Sequence, residues 1–309
     1  MDTELTTIET PDIQLNHCSV KEHCTALLRL QKLPFWWYQQ TSRLYGNPFI
    51  PFQDLNGTWW YQVKPGFCWP VDLYEAIDPA KACPCWTRSF IGYQFLAPDS
   101  AQANCSLVVN TLHHLPEYGP ARLSKDRRKK IRKGLKLCQI EILTEPEDSV
   151  FEACRAIWAD LSRRTGWKRP LAQSIFHNQW RLLLECPGTT ILLARDSETG
   201  QIVGFYIVKV IGDTAYGDTI SVPTDKLTLN VNDALRYTFL INAGKIPGIR
   251  RACAAIRSTL SGLETFKSSI GFTAEPYPAR LVLRPGVTIL MKTLFQKQYN
   301  RMTGVFENK

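Results

Sequence analysis

The sequence predicts an α/β protein in which a mixed sheet is flanked by helices. Three observations carry that expectation. From Glu147 onward, stretches of helical and strand periodicity alternate and are separated by short turns. Hydrophobic residues make up 44% and charged residues 21% of the 309, the balance of a globular chain with room for more than one core. No apolar run reaches the roughly 18 residues that a membrane-spanning helix needs.

Met1 to Val20 is polar, contains Pro11, and reads as a loose lead-in. Its acids Asp2, Glu4, Glu9 and Asp12, and its lack of an apolar core, predict no secretory signal. The ten cysteines are then expected to be reduced thiols in a cytoplasmic protein. Cys83-Pro84-Cys85 is the one close pair; no second pair stands at metal-ligand spacing, so no metal site is expected. Cys24 to Lys32 reads as an amphipathic helix. Pro34 to Phe95 holds six of the nine tryptophans, in Phe35-Trp36-Trp37-Tyr38, Trp59-Trp60-Tyr61, Trp69 and Trp86, and is broken by seven prolines. Short strands and ordered loops are expected there. Its aromatics either form a small core or line a ligand cleft.

Leu107 to Leu112 reads as a strand, and Ser124 caps a helix running to about Cys138. Ile140 to Leu143 is a strand; Glu147 to Arg164 and Ala172 to Glu185 are helices, stopped at Gly166-Trp167 and Pro187-Gly188. Thr189 to Arg195, Ile202 to Val210 and Thr214 to Val222 are strands, the last two joined by a Gly212-Asp213 turn. Asn230 or Asn232 caps a helix to Ala243; Ile249 to Ile256 is a strand. A strand near Ala279 to Leu283 and a helix over Val287 to Tyr299 complete the series.

Charge is concentrated in one place. Between Ala121 and Lys136 nine Lys or Arg face a single Asp, which supplies +8 of the chain's +9. Arg127, Arg128, Lys129, Lys130, Arg132 and Lys133 surround a narrow apolar stripe of Ile131, Leu135 and Cys138. Such a face is either simply solvated or a site for polyanions, RNA or a phosphate-rich ligand. It lacks interleaved aromatics and any DNA-reading motif.

The other anomaly is a single lysine. Ser261 and Glu264 have capping-box spacing, and Gly271 suits a left-handed helix end. Projected at about 100° per residue, Leu260, Leu263, Phe266 and Ile270 share an arc, and Lys267 falls inside it. A lysine there snorkels, pairs with Glu264 at i,i+3, or points into a cleft whose burial tunes its charge. Tyr216 and Asp218, two apart on one strand, share a face that is either a solvated hairpin surface or opens to the cleft, where Asp218 orients or deprotonates an amine and Tyr216 donates to a leaving group. Asn230, Asn232 and Asp233 sit at a helix start, where backbone N–H groups hold phosphate or the side chains simply cap.

These words, in order, are Arg127-Arg128-Lys129-Lys130-Ile131-Arg132-Lys133-Gly134-Leu135, Ile202-Val203-Gly204-Phe205, Tyr216-Gly217-Asp218, Asn232-Asp233-Ala234-Leu235-Arg236 and Gly262-Leu263-Glu264-Thr265-Phe266-Lys267 running to Gly271-Phe272. Together they resemble the Fem-like branch of the GNAT acyltransferase superfamily. The resemblance implies two GNAT-like halves, a degenerate one over 1–144 ending in the basic helix and an active one over 145–309. It implies transfer of an acetyl or aminoacyl group from acyl-coenzyme A or aminoacyl-tRNA to a small-molecule or peptide amine. The resemblance puts the Phe266-Lys267 pair at the active centre and implies a catalytic or phosphate-contacting role for Lys267; Tyr216 and Asp218 are its candidate partners from the strand, and Asn230, Asn232, Ser258 and Phe266 are candidates for holding the donor. The loop Thr224 to Asn230 has no glycine, unlike the pyrophosphate loop of many GNAT enzymes, which puts coenzyme A in doubt. A nucleic-acid-binding protein using helix 124–138, or an inactive adaptor that keeps the fold, are the rival readings.

Overall fold

The computed structural model describes residues 7–30, 51–166, 170–258 and 260–305. The Phe35 to Tyr38 cluster, Trp167 and the first six residues of the expected lead-in lie outside the described residues. In chain order the elements open with α1 (Val20–Leu30), β1 (Phe52–Gln53), β2 (Trp59–Lys64), β3 (Phe67–Pro70), β4 (Gly92–Leu96) and β5 (Cys105–His113). Then come α2 (Lys125–Leu137), β6 (Cys138–Ile142), α3 (Asp148–Thr165), α4 (Gln173–Glu185), β7 (Thr189–Asp196), β8 (Ile202–Ile211) and β9 (Thr214–Ser221). The chain ends with α5 (Val231–Gly244), β10 (Arg251–Ile256), α6 (Ser261–Ser269), β11 (Thr273–Leu283), α7 (Val287–Leu294) and α8 (Gln296–Thr303). The α/β class expected from the periodicity is the one observed.

Two units result. The first is drawn from Met1–Ser19, Thr111–Ala255 and Gly262–Thr273; the second from Val20–Asn110, Ile256–Ser261 and Ala274–Lys309. The units interleave along the chain, so a single cut near Glu145 does not describe them. The physical reason is visible at Gly134. A Cβ there would stand 2.5 Å from Asn230 O and 2.9 Å from the Ala234 Cβ, so α2 packs backbone to backbone on α5 and belongs to the first unit.

The first unit carries strands in the order β10-β9-β8-β7-β6. From β6 to β9 they form an antiparallel meander, and β10 joins β9 in parallel. Alternation along β8 sends Phe205 to one face and Tyr206 to the other. Phe205 packs on Trp158 of α3 and Trp180 of α4, with ring centroids 6.5 and 4.9 Å away. Tyr206 meets Phe239 of α5 edge-on at 5.4 Å. Helix α5 is buried on nearly every side, which fits a helix laid between a sheet and a second helix. The expected loose lead-in is ordered from residue 7. Ile8 and Leu15 enter the core, Ile13 N donates to Asn242 Oδ1 at 3.1 Å, and Cys18 N donates to Val210 O at 3.3 Å. Backbone pairing of this kind leaves no periodic trace in a polar segment.

The second unit holds strands in the order β1-β2-β3-β4-β11-β5. Trp60 is fully buried there against Tyr93 and Phe95, whereas Trp86 is 69% exposed, so the aromatics of this region divide between core and surface. The single helix expected over Val287 to Tyr299 is interrupted: Phe295, at φ −129° and ψ 39°, separates α7 from α8.

Candidate functional site

Helix α6 holds Lys267 in place by its end. Phe272 N donates to Lys267 O at 3.2 Å and Gly271 N to Ser268 O at 2.9 Å, with Gly271 at φ 103°. This is a Schellman closure, and it leaves Lys267 in the last turn, where a cation suits the helix dipole. The residue is 5% exposed, so it does not snorkel to solvent. Its Nζ donates to Glu264 Oε1 at 3.0 Å, an i,i+3 pair that is half-buried on the glutamate side. Burial pushes the Lys267 pKa below the ordinary 10.5; Glu264 opposes that fall and Arg236 adds to it.

Arg236 is the residue that the periodicity did not single out. It projects from α5, is 8% exposed, and its guanidinium lies 5.4 Å from the ring centroids of Tyr206 and Phe266. Its Nε has no hydrogen-bond partner, and among the described residues no carboxylate pairs with the group. Two neighbouring cations are compensated. Lys267 has Glu264, and Arg127 of α2 is ion-paired with Asp233 while also donating to Ser269 Oγ at 2.5 Å. The surplus charge therefore belongs to Arg236. The available signal was an acid and a base at i,i+3 in a helix that is otherwise uncharged and mostly buried, a place where charge is costly without a purpose.

Strand β9 carries the other two predicted residues, Tyr216 and Asp218. β9 and β10 pair over Thr214, Ala215 and Tyr216 against Arg251, Ala252 and Cys253. Beyond these residues β9 continues to Ser221 and β10 to Ile256 without pairing to each other, so the two strands part just after Tyr216. At the parting, Val208 faces Gly217 while Ile207 faces Thr219, which leaves Asp218 as the extra residue of a bulge. Any Cβ at Gly217 would collide with Tyr206 Oη, so this glycine is required for the tyrosine to lie where it does. Tyr216 is half-buried and is the register partner of Lys209, and Asp218 Oδ2 accepts from Lys209 Nζ at 3.0 Å. Lys209 is thus the register partner of Tyr216 and the ion-pair partner of Asp218.

The remaining predicted residues separate into two groups. Phe266 sits within the cluster, receiving Arg127 at 5.1 Å and Arg236 at 5.4 Å. Ser258 Oγ accepts from Leu260 N at 3.1 Å. Asn230 occupies the N-cap position of α5 at φ 60° but makes no side-chain cap; its Nδ2 donates to Thr228 O at 3.3 Å. Near this end Gly134 of α2 packs against Asn230 O and Ala234, and Asp233 provides an anion in the first turn. The glycine-free loop before them is a 3-10 turn over Thr224–Leu229. On α2, Arg127 is buried in its ion pair, Arg128 donates to Pro120 O and Leu123 O, and Lys133 donates to Thr228 O at 2.9 Å. Lys129, Lys130 and Arg132 are exposed.

A helix-flanked meander, a parallel β10, a parting beside β9 and a lysine helix after β10 form one recognisable arrangement. The chain shares its α/β fold with solved structures that include L-PGS and FemX. It superposes on L-PGS from Bacillus licheniformis with a TM-score of 0.55 at 13% identity, covering 96% of this chain and all of the other. It superposes on FemX with a TM-score of 0.54 at 10% identity, over 91% of this chain and all of that one. A conserved protein of unknown function from Bacteroides thetaiotaomicron gives 0.53 at 12%, over 89% and 99% of the two chains. No protein-family model and no curated protein matches the sequence. Within this fold, Arg236 of α5 and Phe266 and Lys267 of α6 lie together.

Proposed function

We propose that the first unit is an acyltransferase that moves an acyl group from an activated donor to an amine. The observation that carries this reading is the buried ammonium of Lys267 in a Fem-like fold, held by Glu264 and lowered in pKa by burial. A fixed cation in a dry setting stabilises the oxyanion of a tetrahedral intermediate without reorganising at the moment of reaction. In the proposed step the amine lone pair forms the new C–N bond and the donor's C–O bond breaks. The proton lost by the amine passes through water to the departing oxygen, which leaves as a hydroxyl. Arg236, unpaired and buried, binds an anionic group of a substrate.

The residues present do not suit coenzyme A in the usual GNAT manner, since the loop before α5 lacks glycine and Gly134 of α2 packs near the helix end. Aminoacyl-tRNA is the donor that these features favour. The exposed Lys129, Lys130 and Arg132 of α2 would then face RNA phosphates. Isothermal titration with coenzyme A, acetyl-coenzyme A and charged tRNA tests this. Heat with charged tRNA and none with coenzyme A or acetyl-coenzyme A is the expected pattern. A donor-binding protein in which Lys267→Met turns over as fast as wild type would refute the catalytic assignment.

A further inference from the structure

In the second unit, α7 and the residue after it present apolar side chains to solvent. Ile289 is 69% exposed, Leu290 46%, Leu294 70% and Phe295 45%. At about 100° per residue, Ile289, Thr293, Leu290 and Leu294 occupy one continuous arc. Thr293 does not interrupt the arc, because its Oγ1 donates back to Ile289 O at 2.9 Å. No residue of α7 is buried. The base of the helix is tied to a second exposed aromatic group: Arg284 N donates to Ile91 O at 3.0 Å and Arg284 Nε to Ser89 O at 3.2 Å. That same turn carries Phe90, 50% exposed, and Trp86. Large apolar side chains grouped in this way are uncommon on a surface that meets only water.

The charge around them selects the occupant. From Pro276 to Phe306 the sequence has five Lys or Arg and no Asp or Glu. Lys292 and Lys297 are exposed beside the apolar arc. A short helix with an apolar face flanked by two exposed lysines fits an anionic bilayer, with the apolar residues in the acyl boundary and the ammonium groups at the phosphates. Exposed tryptophan suits the same depth. No described helix is long and apolar enough to cross a membrane, so such a helix would lie in the plane of the interface.

We propose that α7, Phe295 and the adjoining Trp86–Phe90 turn form a docking surface for anionic lipid membranes. This assignment does not rest on the acyltransferase reading. Flotation of the full chain with vesicles tests it, using phosphatidylcholine alone and phosphatidylcholine mixed equally with phosphatidylglycerol. Partitioning onto the mixed vesicles is expected to exceed that onto neutral ones by about tenfold or more, and to weaken with added salt. The double variant Ile289→Ser/Leu294→Ser, at two exposed positions, is expected to melt like wild type and to lose about tenfold or more of that partitioning. Lys267→Met is expected to bind vesicles as wild type does, which separates this outcome from the fate of the active-site proposal. Absence of wild-type binding to the mixed vesicles overturns the proposal, as does undiminished binding of a folded double variant. Self-association abolished by the double variant, without vesicle binding, overturns it in favour of contact between copies.

Discussion

At the scale of single residues, the chain concentrates its unusual chemistry in three cations with different partners. Lys267 leans on Glu264, Arg127 on Asp233, and Arg236 on two aromatic rings alone. Lys267→Met is expected to lower kcat by about 10²–10³-fold with the fold retained, the loss typical of one preorganised oxyanion donor; circular dichroism and single-turnover rates check both halves. Its depressed pKa also has a stability consequence. The unfolded chain holds the Lys267 proton up to about the ordinary 10.5, while the folded protein releases it earlier. Between those two values the unfolded state binds more protons, so this group's contribution to stability rises with pH. Thermal melts across the alkaline range should therefore show wild type gaining on Lys267→Met as pH approaches 10.5, and a constant difference below the folded pKa. Asp233→Ala removes the partner of a guanidinium that is only 12% exposed, and is expected to cost about 3–5 kcal/mol in denaturant unfolding.

At the scale of elements, close approach of backbones decides where the site residues stand. Gly134 lets α2 rest on Asn230 and Ala234, and that packing brings Arg127 to Asp233. Two effects compete in Gly134→Ala. Alanine is better in a helix by about 1 kcal/mol, but the added methyl meets a carbonyl oxygen at 2.5 Å, and overpacking of that kind costs about 1–3 kcal/mol. Because the obstacle is backbone, the clash should win, and the variant should melt at a lower temperature than wild type. The bulge at Asp218 acts in the same way on β9, placing one residue out of register where the strands part. Residue spacing alone predicted a shared face for Tyr216 and Asp218. It was the ion pair with Lys209, on the neighbouring strand, that actually positioned the carboxylate.

At the scale of the whole chain, the excess positive charge and the two-unit construction are the governing facts. Nearly all of the net +9 sits in and around α2, yet the helix does not offer it uniformly. Arg127 is withdrawn into the interior, Arg128 braces the preceding turn, and Lys129, Lys130 and Arg132 remain outward. Replacing those three by glutamine is expected to weaken RNA binding and to flatten its log–log salt dependence, by about one unit for each phosphate that is no longer neutralised. Fluorescence anisotropy over a salt series measures both. An unchanged slope would mean that α2 is merely a solvated face. The unit boundaries follow from pairing rather than from order in the chain. β11, α7 and α8 close the sequence but belong with residues 20–110, and the first residues described pack with 111–255.

Periodicity determined most of the elements of the first unit, because each has one buried face and turn residues at its ends. β7, β8, β9, α3 and α5 all lie within a few residues of where the pattern puts them. It also determined that Lys267 is out of place, since a cation inside an apolar arc is visible in one dimension. Sequence did not show that Arg236 is the charge left uncompensated. An i,i+3 acid and base look alike whether they pair with each other or, as here, part company: Asp233 turns to Arg127, over a hundred residues earlier in the chain. Nor did it show that α2 packs against α5 near its start, because a glycine in a basic helix carries no mark of the backbone it will meet. Those outcomes depend on which surfaces touch, and the meeting of distant segments is settled only when the chain has closed on itself.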